Sequence, residues 1–119
     1  MLTEPEREEP EVIPNVEIDD DGVYVITLAG EYDLARQNEL NALLARAYAA
    51  PEAIIDLRDV SYVDSTTLTA FVRLKRRMGT HGEAPVKLVG AQRIVRRVLE
   101  VSGLDKVFEL YDTIEQARS

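Results

Sequence analysis

Residues 53–77 read AIIDLRDVSYVDSTTLTAFVRLKRR. The stretch opens on Ala53-Ile54-Ile55-Asp56-Leu57, an apolar run with the residue types of a strand. A short strand of this kind suits the centre of a sheet, and residues 53–57 are expected to form one. Residues 65–79 follow with helical periodicity, ending near Gly79. With Ser65 at 0° on a helical wheel and ~100° per residue, Leu68, Phe71, Val72, Leu74 and Met78 form the buried arc. Lys75 falls inside that arc and is expected to snorkel its head to water. Ser65 lies at the arc's edge and starts a ridge that continues through Thr69 and Arg76. Between strand and helix stand four small polar residues, Asp64, Ser65, Thr66 and Thr67. Helix capping by Asp64 or Ser65 explains one of them. It does not explain four, and β-branched threonines are mediocre helix formers.

Working outward, Val12–Ile18 is expected to be an edge strand, because Pro14 lacks an N–H. Asp19–Gly22 is a turn. Residues 23–29 make a strand that Gly30 ends. Asp33 is a plausible N-cap for a helix running to about Ala49, with Leu40, Leu43, Leu44 and Ala47 on one face and Pro51 as its stop. Val86–Val89 is a strand. Gln92–Ser102 is a helix burying Ile94, Val95, Val98 and Leu99, with Gly103 at its left-handed C-terminal position. Val107–Leu110 is a short strand. Asp112–Glu115 has capping-box spacing and opens a last helix. The pattern predicts an α/β fold: a mixed four- to five-stranded sheet with about four helices, in the order ββαβαβα(β)α, with one sheet face covered.

The 119 residues suit a single domain. Residues 1–11 hold five Glu against one Arg, and this proline-bearing stretch reads as an acidic disordered tail ahead of a domain at 12–119. It lacks the basic and apolar regions of a secretory signal. No apolar run reaches the ~18–20 residues of a membrane span. Cysteine is absent, which excludes disulfides and fits a reducing compartment. The expected location is cytoplasmic. The net charge of -8 argues against nucleic acid as a main partner.

Catalytic constellations are missing. The lone His81 lies in a glycine-flanked loop without an evident partner, and no phosphate loop, serine elbow or zinc-binding helix motif occurs. Asp19, Asp20 and Asp21 lack the spacing of a calcium loop and read as a solvated turn. Asp56, Asp59 and Asp64 could gather at the strand's end, but turn and cap roles explain Asp59 and Asp64. No enzyme activity, cofactor or metal is expected. Arg73, Lys75, Arg76 and Arg77 crowd the end of one helix, and Arg93, Arg96 and Arg97 repeat the theme on the next. Two readings stand: complementation of the helix dipole with solubility, or a positive patch for an acidic protein partner.

Residues 54–77 resemble the STAS domain of bacterial anti-sigma factor antagonists. Its members show an apolar strand, a loop, then Asp-Ser-[Ser/Thr]-Gly-Leu opening a helix. GEYD at 30–33 is similar to the family's Gly-Glu-[apolar]-Asp. VLEVSGLDKVFELYDTIEQA at 98–117 is similar to its closing Leu-x-x-x-Gly-Leu-x-x-x-Phe and terminal helix. The resemblance implies a partner switch. The unmodified antagonist binds an anti-sigma factor that is also a serine kinase and so releases the sigma factor. Phosphorylation switches binding off, and a serine phosphatase resets the cycle. Carried over, the phosphoacceptor is Ser65, with Thr66 and Thr67 as alternatives. The implied partner-binding residues are Asp33, Asp64, Ser65, Thr66 and Thr67, with Thr69 and Arg76 along the ridge. Thr67 replaces the family's glycine. That departure favours the alternative of a non-phosphorylated STAS adaptor, for example of a lipid-transport ATPase. Neither nucleic acid nor membrane is an implied partner.

Overall fold

Crossover handedness decides which sheet face is covered. The computed structural model describes residues 11–79 and 82–118. Residues 1–10 of the expected tail, His81 and Ser119 fall outside them. The described residues form one five-stranded sheet of β1 (Asn15–Ile18), β2 (Tyr24–Tyr32), β3 (Ala53–Val63), β4 (Val86–Val89) and β5 (Glu109–Tyr111), whose spatial order is the chain order. β1 runs antiparallel to β2, and the remaining pairs are parallel. Every parallel step moves to the next strand in the same direction. Right-handed crossovers therefore place α1 (Gln37–Ala45), α2 (Ser65–Arg77) and α3 (Arg93–Val101) on one face.

The main core lies between that face and those helices. Ile26, Leu28, Ile55, Leu57 and Leu88 of the sheet meet Leu40 and Leu44 of α1, Phe71 and Leu74 of α2, and Val95 and Leu99 of α3. Each such side chain contributes about 1.5–3 kcal/mol by leaving water. α4 (Ile114–Arg118) follows the last strand and has no crossover to make. It folds onto the opposite face, where Ala117 packs with Val25, Ile54 and Val89. The second face, expected to be bare, is thus partly covered. Among the described residues, no helix is long and apolar enough to cross a membrane.

Several elements differ from their local signals. β3 spans eleven residues and not five. Its register against β2 slips twice: Thr27 pairs with Asp56 but Ala29 with Asp59, and Gly30 pairs with Val60 but Glu31 with Tyr62. Each slip puts one extra residue on β3, as a β-bulge does. The bulges keep Leu57, Val60 and Val63 all buried at a spacing of three, which breaks the period of two that marks a strand. Gly30 does not end β2 but sits at one of these slips with φ +94°. A Cβ there would lie 2.9 Å from Nη1 of Arg36.

The helix expected from Asp33 to Ala49 is divided. Asp33 caps a 3-10 turn at Leu34–Arg36, and α1 follows and stops at Ala45. Tyr48 and Ala50 then donate to carbonyls three residues back, and this tighter winding seats Ala47 and Ala50 in the core before Pro51. On α3, Val95 and Leu99 are buried but Ile94 is 62% exposed, because it lies about 100° or more around the helix from both. Lys75 does not send its head to water. Its Nζ donates to the carbonyls of Gly82 (3.2 Å) and Ala84 (3.0 Å), tying α2 to the next loop. The last capping box falls one residue later than its spacing suggested. Thr113 Oγ1 accepts from the Gln116 amide, and Gln116 Oε1 accepts from the amides of Asp112 and Thr113.

Candidate functional site

Tyr32 and Val63 are register partners at the ends of two adjacent parallel strands. The next residues, Asp33 and Asp64, therefore leave the sheet side by side, and each turns into a helix. Asp33 Oδ1 accepts from the Ala35 amide at 3.0 Å. Asp64 caps α2 with extended backbone, and its Oδ1 accepts from the Thr67 amide at 3.0 Å. The same oxygen accepts from the Thr66 hydroxyl at 2.6 Å and lies 3.2 Å from that of Thr67. The hydrogen bonds from the Thr66 hydroxyl and from the Thr67 amide hold the Asp64 carboxyl below its usual pKa.

The threonines divide in role. Thr67 is fully buried, and its hydroxyl donates to the Tyr32 carbonyl at 3.1 Å. That carbonyl also accepts from the Asp64 amide at 3.1 Å. The head of α2 is thereby pinned to the end of β2. Thr66 is half-buried, and its Oγ1 accepts from Nε2 of Gln37 at 3.0 Å, which links α2 to α1. Tyr32 is itself locked. Its hydroxyl accepts from Nη2 of Arg36 at 3.2 Å, and that guanidinium lies 4.0 Å over the ring. Arg36 also donates to the Ala29 carbonyl and pairs with Glu39. Burial raises the pKa of the Tyr32 phenol.

Ser65 is exposed, and no hydrogen bond engages its hydroxyl among the described residues. One turn on, Thr69 donates to the Ser65 carbonyl at 3.0 Å. The side chain of Ser65 opens onto a groove of about 690 Å³. Leu68, Val72 and Leu104 supply its apolar part, and Arg73, Arg76 and Arg77 its cations. Asp56 and Asp59 are not part of this arrangement. The Asp56 carboxylate is paired with Arg58 at 2.7 Å, and Asp59 is exposed. No three carboxylates or other ligands among the described residues could hold a metal ion.

A model of the STAS domain matches residues 14–117. The chain belongs to the STAS domain family. Within that family it is 30% identical over 110 residues to the anti-sigma-F factor antagonist RsfB of Mycobacterium tuberculosis, covering 91% of this chain and 88% of the relative. Among solved structures it resembles an anti-sigma factor antagonist from Mycobacterium paratuberculosis, with a TM-score of 0.78 and 31% identity over 88% of this chain and 89% of that one. The anti-sigma factor antagonist SpoIIAA in its unphosphorylated form shares the fold, with a TM-score of 0.74 and 23% identity over 88% of this chain and 92% of that one.

The STAS fold thus brings Asp33, Asp64, Ser65 and Thr66 to one end of the sheet, with Thr69 and Arg76 along α2. Thr67 stands apart, because its side chain faces the interior. Sequence reasoning missed Tyr32, Arg36 and Gln37, which hold the site together. Tyr32 and Gln37 are bonded to Thr67 and Thr66, 35 and 29 residues on. Arg36 finds its partners within seven residues, and its i,i+3 pairing with Glu39 was a local signal that could have found it.

Asp64→Ala is expected to destabilise the fold by about 1–2 kcal/mol, through loss of the cap. Asp64→Asn retains an acceptor oxygen and should cost less. The sign of the pH effect follows from the lowered pKa. The carboxylate's contribution is complete above the unfolded value of about 3.9 and is lost as pH falls through the lower folded value. Wild type should therefore lose stability below about pH 4 more steeply than Asp64→Asn. Urea midpoints across acid pH check this; parallel curves would exclude a role for the ionised cap.

Proposed function

We propose that this STAS domain is an anti-sigma factor antagonist whose binding is switched off by phosphorylation of Ser65. In this reading the unmodified chain binds an anti-sigma factor that is also a serine kinase. The sigma factor is thereby released, and a serine phosphatase restores the unmodified state. One observation carries the assignment of Ser65: alone in the run 64–67, it is exposed with an unengaged hydroxyl among the described residues. Asp64, Thr66 and Thr67 are committed to one another and to the adjoining strand and helix. The relatives at 30% and 31% identity, which are named antagonists, support the same reading.

The transfer requires the Ser65 oxygen to attack the terminal phosphorus of ATP. ADP leaves, and the serine proton passes to a base of the kinase. Asp64 is a poor candidate for that base, because its hydrogen bonds stabilise the carboxylate.

Thr67 does not alter the surface presented to a kinase, since its side chain is fully buried. The replacement of the family's glycine thus leaves the exposed hydroxyl of Ser65 accessible. Incubation with the cognate kinase and ATP should add one phosphoryl group, ~80 Da, to wild type and none to Ser65→Ala. Mass added to Ser65→Ala would move the site to Thr66 or elsewhere. No added mass on wild type would favour the non-phosphorylated adaptor.

A further inference from the structure

The groove beside Ser65 has a charge pattern at odds with the rest of the chain. The protein carries a net charge of -8, so carboxylates are plentiful. Arg36, Arg58, Arg96 and Arg118 each pair with one. Arg73 and Arg76 pair with none among the described residues, although both line the groove. Arg77 stacks 4.9 Å over the ring of Tyr48. Between these cations lie Leu68, Val72 and Leu104. Helix-dipole complementation accounts for cations at the end of α2. It does not account for their standing beside an apolar strip in an open groove.

We infer that this groove receives an acidic segment of the anti-sigma factor, one that sets an apolar side chain between carboxylates. Charge complementarity selects that occupant. Guanidinium forks bind carboxylates in two-point fashion. The overall negative charge disfavours a nucleic acid, which repels the body that bears the groove. The inference rests on the proposed function and adds the chemistry of the partner.

It also explains how Ser65 communicates with binding. Ser65 lines the same groove, about 12 Å along the helix from Arg73. No cation follows within one helical turn to neutralise a phosphate there, and the phosphate would line the space the acidic segment enters. Like charges then oppose entry, while the fold stays as it is.

The test uses two synthetic peptides with the same leucine pattern, one bearing Glu between the leucines and the other Gln. Each is titrated into the isotope-labelled full chain and followed by amide shifts. The Glu peptide should shift residues 65–77 and 102–104, with weaker binding at high salt. Arg73→Glu/Arg76→Glu should bind it about tenfold more weakly. Ser65→Asp should also reduce its affinity. Both arginines are exposed, so the fold should survive; Arg73→Gln/Arg76→Gln provides a second, milder variant. Equal binding of the Gln peptide, shifts confined to other surfaces, or no shifts would overturn the inference. So would groove shifts on dilution of the chain alone, which would assign the groove to a second copy. The anti-sigma factor itself separates the two ideas. If it binds wild type and Ser65→Asp equally, the proposed switch fails. If it distinguishes those two but binds Arg73→Glu/Arg76→Glu as tightly as wild type at low salt, only the groove inference fails.

Discussion

Ser65→Asp is expected to melt within about 3 °C of wild type and to bind the anti-sigma factor about a hundredfold more weakly. The two effects separate because they arise in different environments. In the free chain Ser65 is exposed, so an added carboxylate stays hydrated. It also sits at the N-terminus of α2, where the helix dipole stabilises a negative charge by about 0.3–1 kcal/mol. At an interface the same charge must lose water. No cation lies within one turn of it along α2, and Arg73 is eight residues on. An uncompensated buried charge costs about 3–5 kcal/mol, or hundreds- to thousandsfold in affinity. Phosphoserine carries about -1.5 to -2 charges and should fall at the upper end of that range. Thermal melting and titration calorimetry on the same preparations check both halves. Unfolding of Ser65→Asp, or unchanged affinity, would contradict the switch as described.

Thr67→Gly is expected to cost about 2–3 kcal/mol of stability and to leave partner binding intact. The substitution restores the glycine of the family pattern, yet here it removes three contributions. The hydrogen bond from Thr67 Oγ1 to the Tyr32 carbonyl is worth about 1 kcal/mol. Loss of the buried methyl and hydroxyl leaves a small cavity, and glycine weakens the helix by a further few tenths to 1 kcal/mol. Binding should be preserved because Thr67 presents no surface to a partner. Thr67→Val keeps the volume and loses only the hydrogen bond, so it should cost about 1 kcal/mol. Tyr32 still accepts from the Asp64 amide in both variants. Denaturant midpoints for the pair, with partner affinity, distinguish this interior pin from a contact residue. Lost affinity with unchanged stability in Thr67→Gly would place Thr67 at the interface after all.

Thr67 also illustrates where sequence reading ends. Its position after an acid and a serine was plain from the chain, but the direction of its side chain was not. Capping, helical periodicity and turn chemistry act between residues within about four positions of each other, so they leave a local trace. The cap at Asp64, the buried arc of α2 and the left-handed Gly103 follow from such rules. The hydrogen bonds from Thr67 to Tyr32 and from Gln37 to Thr66 join residues 35 and 29 positions apart. Nothing nearby in the chain announces them. The length of β3 was hidden for a related reason: Leu57, Val60 and Val63 share one face only because β2 imposes two bulges.

By itself, then, the sequence determined the order of strands and helices, the mixed sheet and the polar run at the head of α2. Each depends on local propensity and on the handedness of crossovers. The tertiary structure alone decided which hydroxyl of that run stays exposed and which is spent holding two elements together. It also decided that arginines without a carboxylate partner among the described residues, and an apolar strip from two separate segments, border one groove. Those outcomes depend on distant parts of the chain meeting in space, and no short-range pattern encodes such a meeting.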